Sequence, residues 1–577
     1  MRLNRRDNAV VLVLVLVLVT LGAALAIPAS LPAEAVVEPT PAPSIPPPIT
    51  YREGVVGTPE SMTPLTARTR SERTLVGLVF SGLMRTGPEQ TPEPDLAESW
   101  TMSEDGLTWT FVIRDDATWH DGTPVTSADV VYTIEALKSP EAGGAASLSW
   151  AEVTVTALSE RRVAFKLATP IGGFLAAATQ ALLPAHLLAD IPFADLATSD
   201  FAHLPVGTSA FALTQVDERR AVLLPASRLV APSEPSPDSP STSPDSLATP
   251  VPQPTSDQAV PYLERIEVWF YPDEAAAGAA LEAGEIDGLA GLGQEEASTA
   301  RAITGIDAVR YPTTTLSTVL LNLRPSHLEL RSPEVRRALL AGVDRDALVN
   351  DVLGGDAVPA DALVPPTSWA YDAAAAAPVA YDPAAAATAL TKAGWTKVEG
   401  AWAAPRATKP YELQVLSVPA AANRRLAATA DFVRDQWTAL GFKVTLVEED
   451  AVDIVEDLRS GTFTAAVLDI AMGVEPDLYP LLASSQVRAT GSNLSGYQDP
   501  TLDPLLEAAR APGTSEARAA AWQAALAGIA ARQPMLPLAW HDEIMFTRGV
   551  EGITPTLISD TGDRYWDVLA WRLAADR

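Results

Sequence analysis

Strand and helix signals that alternate along 577 residues predict an α/β protein built from more than one domain. Period-two apolar patterns recur between helical patterns in both halves of the chain. The composition, 47% apolar and 20% charged, is that of a globular protein. The length exceeds what a single apolar core usually fills.

The chain opens with Arg2, Arg5 and Arg6, followed by an apolar run over 9–27 interrupted only by Thr20 and Gly22. A helix of ~19 residues rises ~28 Å, close to the hydrocarbon thickness of a bilayer. Secretory apolar regions are usually shorter, roughly 7–15 residues, so an uncleaved membrane anchor over residues 1–27 is favoured over a signal peptide. Ala33-Glu34-Ala35 nevertheless has the small-x-small form of a cleavage site. The basic flank stays cytoplasmic, which places the remainder outside the membrane. Residues 28–49 are rich in proline and read as an extended linker.

From Thr50 the elements follow in order. Leu107, Trp109, Phe111 and Ile113 alternate with Thr108, Thr110 and Val112, a strand pattern. Ser127 is expected to cap a helix carrying Val130, Ile134 and Leu137, with Asp129 in its first turn where the helix dipole favours an anion. Ile266, Val268 and Phe270 form another strand, and Asp273 caps an Ala-rich helix that stops at Gly284. Ser332-Pro333 opens a helix. Leu413, Val415 and Leu416 precede a helix through Phe432, Trp437 and Leu440, ended by Gly441 before a strand from Val444 to Val447. Between these halves, residues 231–259 are rich in Pro, Ser, Asp and Thr and too poor in large apolar residues to offset their ordering entropy. They read as a disordered insertion, with a domain linker as the competing reading.

Charge and residue inventory exclude several functions. With 41 Lys+Arg against 72 Asp+Glu the formal charge is −31, which gives no basic field for nucleic acid. Zero cysteines remove disulfides, thiolate metal sites, a Cys nucleophile and a lipid-modified Cys tether. His120, His186, His203, His327 and His541 are dispersed, so no metal centre is expected. No nucleophile elbow, phosphate loop or complete dinucleotide fingerprint is present, so neither a cofactor nor an enzyme is expected.

Several ordered phrases then carry a resemblance: Leu96-Ala-Glu-Ser-Trp100, Asp105-Gly-Leu-Thr-Trp-Thr-Phe-Val-Ile-Arg114, Trp119-His-Asp-Gly-Thr-Pro124, Pro261-Tyr-Leu-Glu-Arg-Ile266 and Val335-Arg-Arg-Ala-Leu339 with Val343-Asp-Arg345. In this order they resemble the family 5 extracellular solute-binding proteins, receptors for peptides, nickel and related solutes. The resemblance implies a two-lobed, type II periplasmic-binding-protein-like fold with an extra domain inserted in lobe I. It implies lobe I over 50–80, 201–315 and 541–577, the inserted domain over 81–200, and lobe II over 316–540. The lobes would cross near Thr313–Ser317 and Trp540–Ile544. The implied function is capture of a peptide or similar small solute by hinge closure, and its delivery to ABC transporter permease subunits at the extracytoplasmic face, by a monomer. A ligand-sensing or envelope scaffold with a diverged cleft is the alternative.

Peptide receptors of this family commonly anchor a ligand's ammonium on an aspartate beyond a Gly-Trp pair. The matching stretch here, 467–479, has Ile470 near the Trp position, and Asp469, Glu475 and Asp477 are the carboxylates that could substitute. Trp540 and His541 match aromatics that return across the cleft, with core packing as the alternative. Trp369 and Asn493 complete the candidate ligand contacts. Relatives usually carry Gly-Thr-Gly-Pro-Tyr where this chain has Gly207-Thr-Ser-Ala-Phe211, so one cleft segment departs from the pattern.

Overall fold

A computed structural model describes residues 48–87, 90–143, 147, 150–228 and 261–574. The expected anchor over 1–27, nearly all of the linker and the tract at 231–259 lie outside the described residues. Residues Ile49–Arg577 form one compact unit.

An 11-stranded sheet runs through that unit. On one side, Glu412–Ser417 lies parallel to Lys443–Glu448 and to Ala465–Ala471; on the other, Thr50–Val56 lies parallel to Arg265–Tyr271 and to Gly288–Ala290. Parallel neighbours need crossover connections, and the helices Arg424–Leu440 and Glu274–Ala283 supply them. Two long antiparallel strands, Asp307–Leu321 and Leu536–Thr547, join the two sides. They pair from Asp307↔Thr547 to Pro312↔Asp542, break, and pair again from Leu316↔Trp540 to Val319↔Leu536.

Each side of the break has its own apolar core. Leu321, Leu339, Val415, Trp437 and Trp540 belong to one, and Tyr51, Leu78, Ile266, Met545 and Trp571 to the other. Met545 and Phe546 are consecutive on a strand and therefore face opposite ways; Phe546 packs with Leu281 and Ile286 in a smaller cluster covering the second face. The fold is thus two-lobed, with the long strands as the connection. A separate four-stranded antiparallel sheet, built from Ala97–Met102, Thr108–Ile113, Arg162–Lys166 and Thr154–Ser159, extends the first lobe. Its Phe165 stands edge-on 5.6 Å from Phe111, which with Trp109 and Ile113 forms the buried face of the alternating strand.

Local signals act as their chemistry requires. Asp273 accepts the N–H of Ala276 at 2.8 Å and Gly284 closes the same helix at φ 73°, a left-handed conformation that suits glycine. Ser332 accepts the N–H of Val335, with Pro333 at the first helical position. One cap differs from expectation by a residue. Thr126, not Ser127, caps the helix Ser127–Lys138, because Asp129 is then at the third position and accepts the Thr126 N–H at 2.7 Å, completing a capping box. Ser127 instead donates its hydroxyl to the Ser159 carbonyl.

Candidate functional site

The break between Pro312 and Leu316 frees backbone groups at the crossing, and segments from elsewhere take them up. Thr314 donates its N–H to the Ile558 carbonyl at 3.0 Å, Ile558 to Pro312 at 2.9 Å, and Met472 to Thr314 at 3.1 Å. Beside this junction lies a cavity of about 290 Å³. The crossing strands contribute Thr313, Thr315 and Glu543; residues 558–561 close one wall, and Arg68, Arg70 and Arg73 close the other.

The arginines are held by a helix start. Helix Arg70–Val79 is capped by Thr69, and Glu72 turns back to accept four backbone N–H groups, from Glu60, Ser61, Arg68 and Thr69, at 2.7–3.1 Å. Burial pushes the Glu72 carboxyl up, but these four donors hold it below its ordinary value. The loop carrying Arg68 is therefore tied to the helix. Arg70 lies 2.9 Å from Glu543, and Arg73 lies 3.1 Å from Asp560.

Further along the crossing, Ser317, His541 and Asp469 meet from three neighbouring strands, Asp307–Leu321, Leu536–Thr547 and Ala465–Ala471. Ser317 Oγ is 2.7 Å from His541 Nε2 and donates to Asp469 Oδ1, while His541 Nε2 is 3.5 Å from that carboxylate. Arg425 donates to the other Asp469 oxygen at 3.1 Å. In a Ser-His-Asp relay the carboxylate holds the imidazole nitrogen remote from the serine. Here both partners sit at Nε2 and the buried Nδ1 has no partner among the described residues, so the cluster lacks the relay geometry. Burial pushes the Asp469 carboxyl up, but His541, Arg425 and Ser317 outweigh it and hold the group well below the usual carboxylate range. A depressed folded value means stability that is present above the ordinary carboxylate range and lost as pH falls through the folded value. Asp469→Asn is therefore expected to cost about 1–3 kcal/mol at neutral pH, with the deficit narrowing in strong acid. Denaturant midpoints of both proteins across pH check this; a deficit independent of pH contradicts it.

The other candidates occupy different settings. Glu475 pairs with Arg518, whose guanidinium lies 4.5 Å over the Trp369 ring, and Asp477 pairs with Arg510 at 3.0 Å. Burial pushes both carboxyls up. This cluster faces the first lobe's extra domain: Gly172 donates its N–H to the Arg510 carbonyl at 2.9 Å, and Gly173 abuts Glu475. Trp540 is packed in the second lobe's core, and its indole N–H donates to the Ala362 carbonyl at 3.2 Å. The buried Asn493 amide donates to the carbonyls of Ala483 and Tyr497 and its oxygen accepts from Ser495, so all of these groups serve one turn.

A family model described as bacterial extracellular solute-binding proteins, family 5 middle, matches residues 91–489. The chain belongs to this family. Oligopeptide-binding protein AppA of Bacillus subtilis is 25% identical over 464 residues, 79% of this chain and 80% of that protein. Its solved structure in complex with a nonapeptide is 22% identical and superposes with TM-score 0.66, covering 91% of this chain and 99% of that one. NikZ from Campylobacter jejuni in complex with Ni(L-His) is 23% identical, with TM-score 0.66 and coverage of 91% and 99%. Among the described residues of this family 5 chain, no three His, Asp or Glu side chains come together as metal ligands.

The arginines of the cavity are absent from the sequence-based candidates. A signal existed: Arg68, Arg70 and Arg73 fall within six residues of a strongly acidic chain. Nothing local, however, places that run beside Thr313 or Glu543, more than two hundred residues away.

Proposed function

We propose that this chain captures a small peptide-like solute between its lobes and presents the closed form to the permease of an ABC importer at the extracytoplasmic face, without catalysis. The observation that carries this reading is the cavity at the crossing. It lies where the two strands that link both cores lose their ladder, lined by first-lobe residues and by Thr313, Thr315 and Glu543 of the crossing itself, so a ligand there sits against the hinge and can bias the relative arrangement of the lobes. Its volume of about 290 Å³ is at the low end for small-molecule sites, which favours a short ligand over a long peptide. Thr313 and Thr315 are the proposed strand contacts, with Asp469 and His541 further along; Trp369, Glu475 and Asp477 are assigned to the surface that meets the extra domain on closure. Trp540 and Asn493 are assigned to supporting the site from behind.

Small-angle scattering of the full chain, with and without pools of di- and tripeptides, tests this. The radius of gyration is expected to fall on binding. Identical curves with every pool, together with native mass spectra showing no bound solute, would refute capture by closure.

A further inference from the structure

A second concavity lies on the extra domain, and none of the residues lining it belongs to the strand crossing. The short helix Ala185–Leu188, the 3-10 turn Phe193–Thr198 and the short helix Asp200–His203 build it. Each turns its other side inward, where Leu188, Leu196 and Ala202 are fully buried. The Tyr132 hydroxyl donates to the Leu188 carbonyl at 2.9 Å, and the Met62 N–H donates to that of Ala202 at 2.8 Å. The backbone around the groove is therefore tied down, and its core-facing positions are already filled. Leu187 and Leu204 are not among them. They are 42% and 48% exposed, and with Ile191 and Phe201 they give this groove of about 800 Å³ an apolar floor. Bulky apolar side chains gathered in one exposed concavity mark a contact surface. The rim is acidic. Asp190, Asp195 and Asp200 line the same groove and are exposed, no Lys or Arg lines it, and among the described residues no ion pair reaches these three carboxylates.

We propose that this groove docks a basic polypeptide segment of another protein, one that sets bulky apolar side chains against Leu187, Ile191, Phe201 and Leu204 and brings Lys or Arg to the three aspartates. The inference goes beyond solute capture and does not depend on it. Charge decides among the occupants. Residues 231–259 carry Glu234, Asp238, Asp245 and Asp257 and no Lys or Arg, and a second copy brings a formal charge of −31, so both meet the rim with its own sign. Anionic lipid headgroups are repelled for the same reason. Asp190 follows the first helix, Asp195 lies in the turn and Asp200 opens the last helix. A small amphiphile with one ammonium answers only one of them, whereas a chain with cations spaced along it answers all three.

The test titrates the full chain with a short acetylated and amidated peptide of Lys and Leu, and with its counterpart in which Ser replaces every Leu. Salt is held at ~0.15 M, where charges beyond about 8 Å are screened. The parent is expected to bind the Lys/Leu peptide at least about tenfold more tightly than the Lys/Ser peptide. Combining Asp190→Asn, Asp195→Asn and Asp200→Asn should weaken the Lys/Leu peptide about tenfold, while the equally neutralising set Glu104→Gln, Glu152→Gln and Glu160→Gln should change it less than about threefold. Leu187→Ser with Leu204→Ser should abolish the preference for Leu over Ser. All of these side chains are exposed, so the variants should melt with the parent and capture tripeptides as it does. No binding of the Lys/Leu peptide by the parent overturns the proposal, as does equal loss in the two neutralised sets, which reduces the attraction to bulk charge. A preference for Leu that survives the paired leucine variant places the peptide elsewhere and overturns it too. Binding that appears only after residues 231–259 are removed would assign the groove to that tract, and a parent dimer dissolved by Leu204→Ser would assign it to a second copy; either result overturns the basic partner and leaves solute capture standing.

Discussion

Replacing Arg564 by Met is expected to destabilise the protein by about 3–5 kcal/mol, because it leaves two buried carboxylates without their shared cation. Arg564 is fully buried and lies 2.6 Å from Glu53 and 2.9 Å from Glu543, and it also donates to the Tyr565 hydroxyl at 2.7 Å. Burial works against its charge, but Tyr565, Glu53 and Glu543 hold the guanidinium protonated, its pKa raised well above the ordinary value. Once it is gone, Glu53 sits in the strand Thr50–Val56 with the neutral hydroxyls of Tyr51 and Tyr565 as donors and no cation, beside a second carboxylate of the same sign. An orphaned buried carboxylate gains a raised pKa, so its penalty is largest at neutral pH and shrinks as acid protonates it. Denaturant unfolding across pH reads both effects. Glu53→Gln combined with Arg564→Met should recover part of the loss. A deficit under ~1 kcal/mol, or one that grows on acidification, contradicts the role assigned to this network. The same substitution reaches the cavity, because Glu543 would then pair with Arg70 alone.

The fold was more legible than the site, and particular residues show why. The alternation of Trp109, Phe111 and Ile113 and the left-handed stops at Gly284 and Gly441 are local properties, so spacing alone reveals them. The helix cap slipped from Ser127 to Thr126 because both residues can cap, and only the reach of Asp129 decides between them. Trp540 and His541 are adjacent on a strand and face opposite ways; which one enters the core depends on register against Leu316 and Ala362, set by distant parts of the chain. Asp469 was marked for its charge, yet its partners Arg425 and Ser317 stand 44 and 152 positions away. The arginine run was visible as composition, but its meaning depends on contact with Glu543, a residue of the far crossing strand. Short-range chemistry reads from spacing, and a site assembled across lobes does not.

Gly173→Ala is expected to weaken solute capture by roughly 5- to 150-fold while leaving unfolding stability close to the parent's. A β-carbon at Gly173 would stand 2.3 Å from Glu475 Cγ, and one at Gly172 would stand 2.7 Å from the Ala511 carbonyl oxygen. Glu475 has little freedom to yield, since Arg518 holds its carboxylate and stacks on Trp369. The contact joins the extra domain to the second lobe; on the capture reading this approach belongs to the closed form, so the clash penalises closure and not the folding of either core. A ligand that requires closure must then supply that penalty from its own binding free energy, and its affinity drops by the corresponding factor. Gly278→Ala is the control, because a β-carbon there meets nothing within 4 Å and affinity should be unchanged. Titration of the tripeptide pools, paired with scattering, separates the outcomes. A Gly173→Ala protein that binds as the parent does and contracts as fully would show that the Gly173–Glu475 approach is incidental to closure. One that binds weakly yet contracts fully would place the defect in the cavity instead of between the lobes.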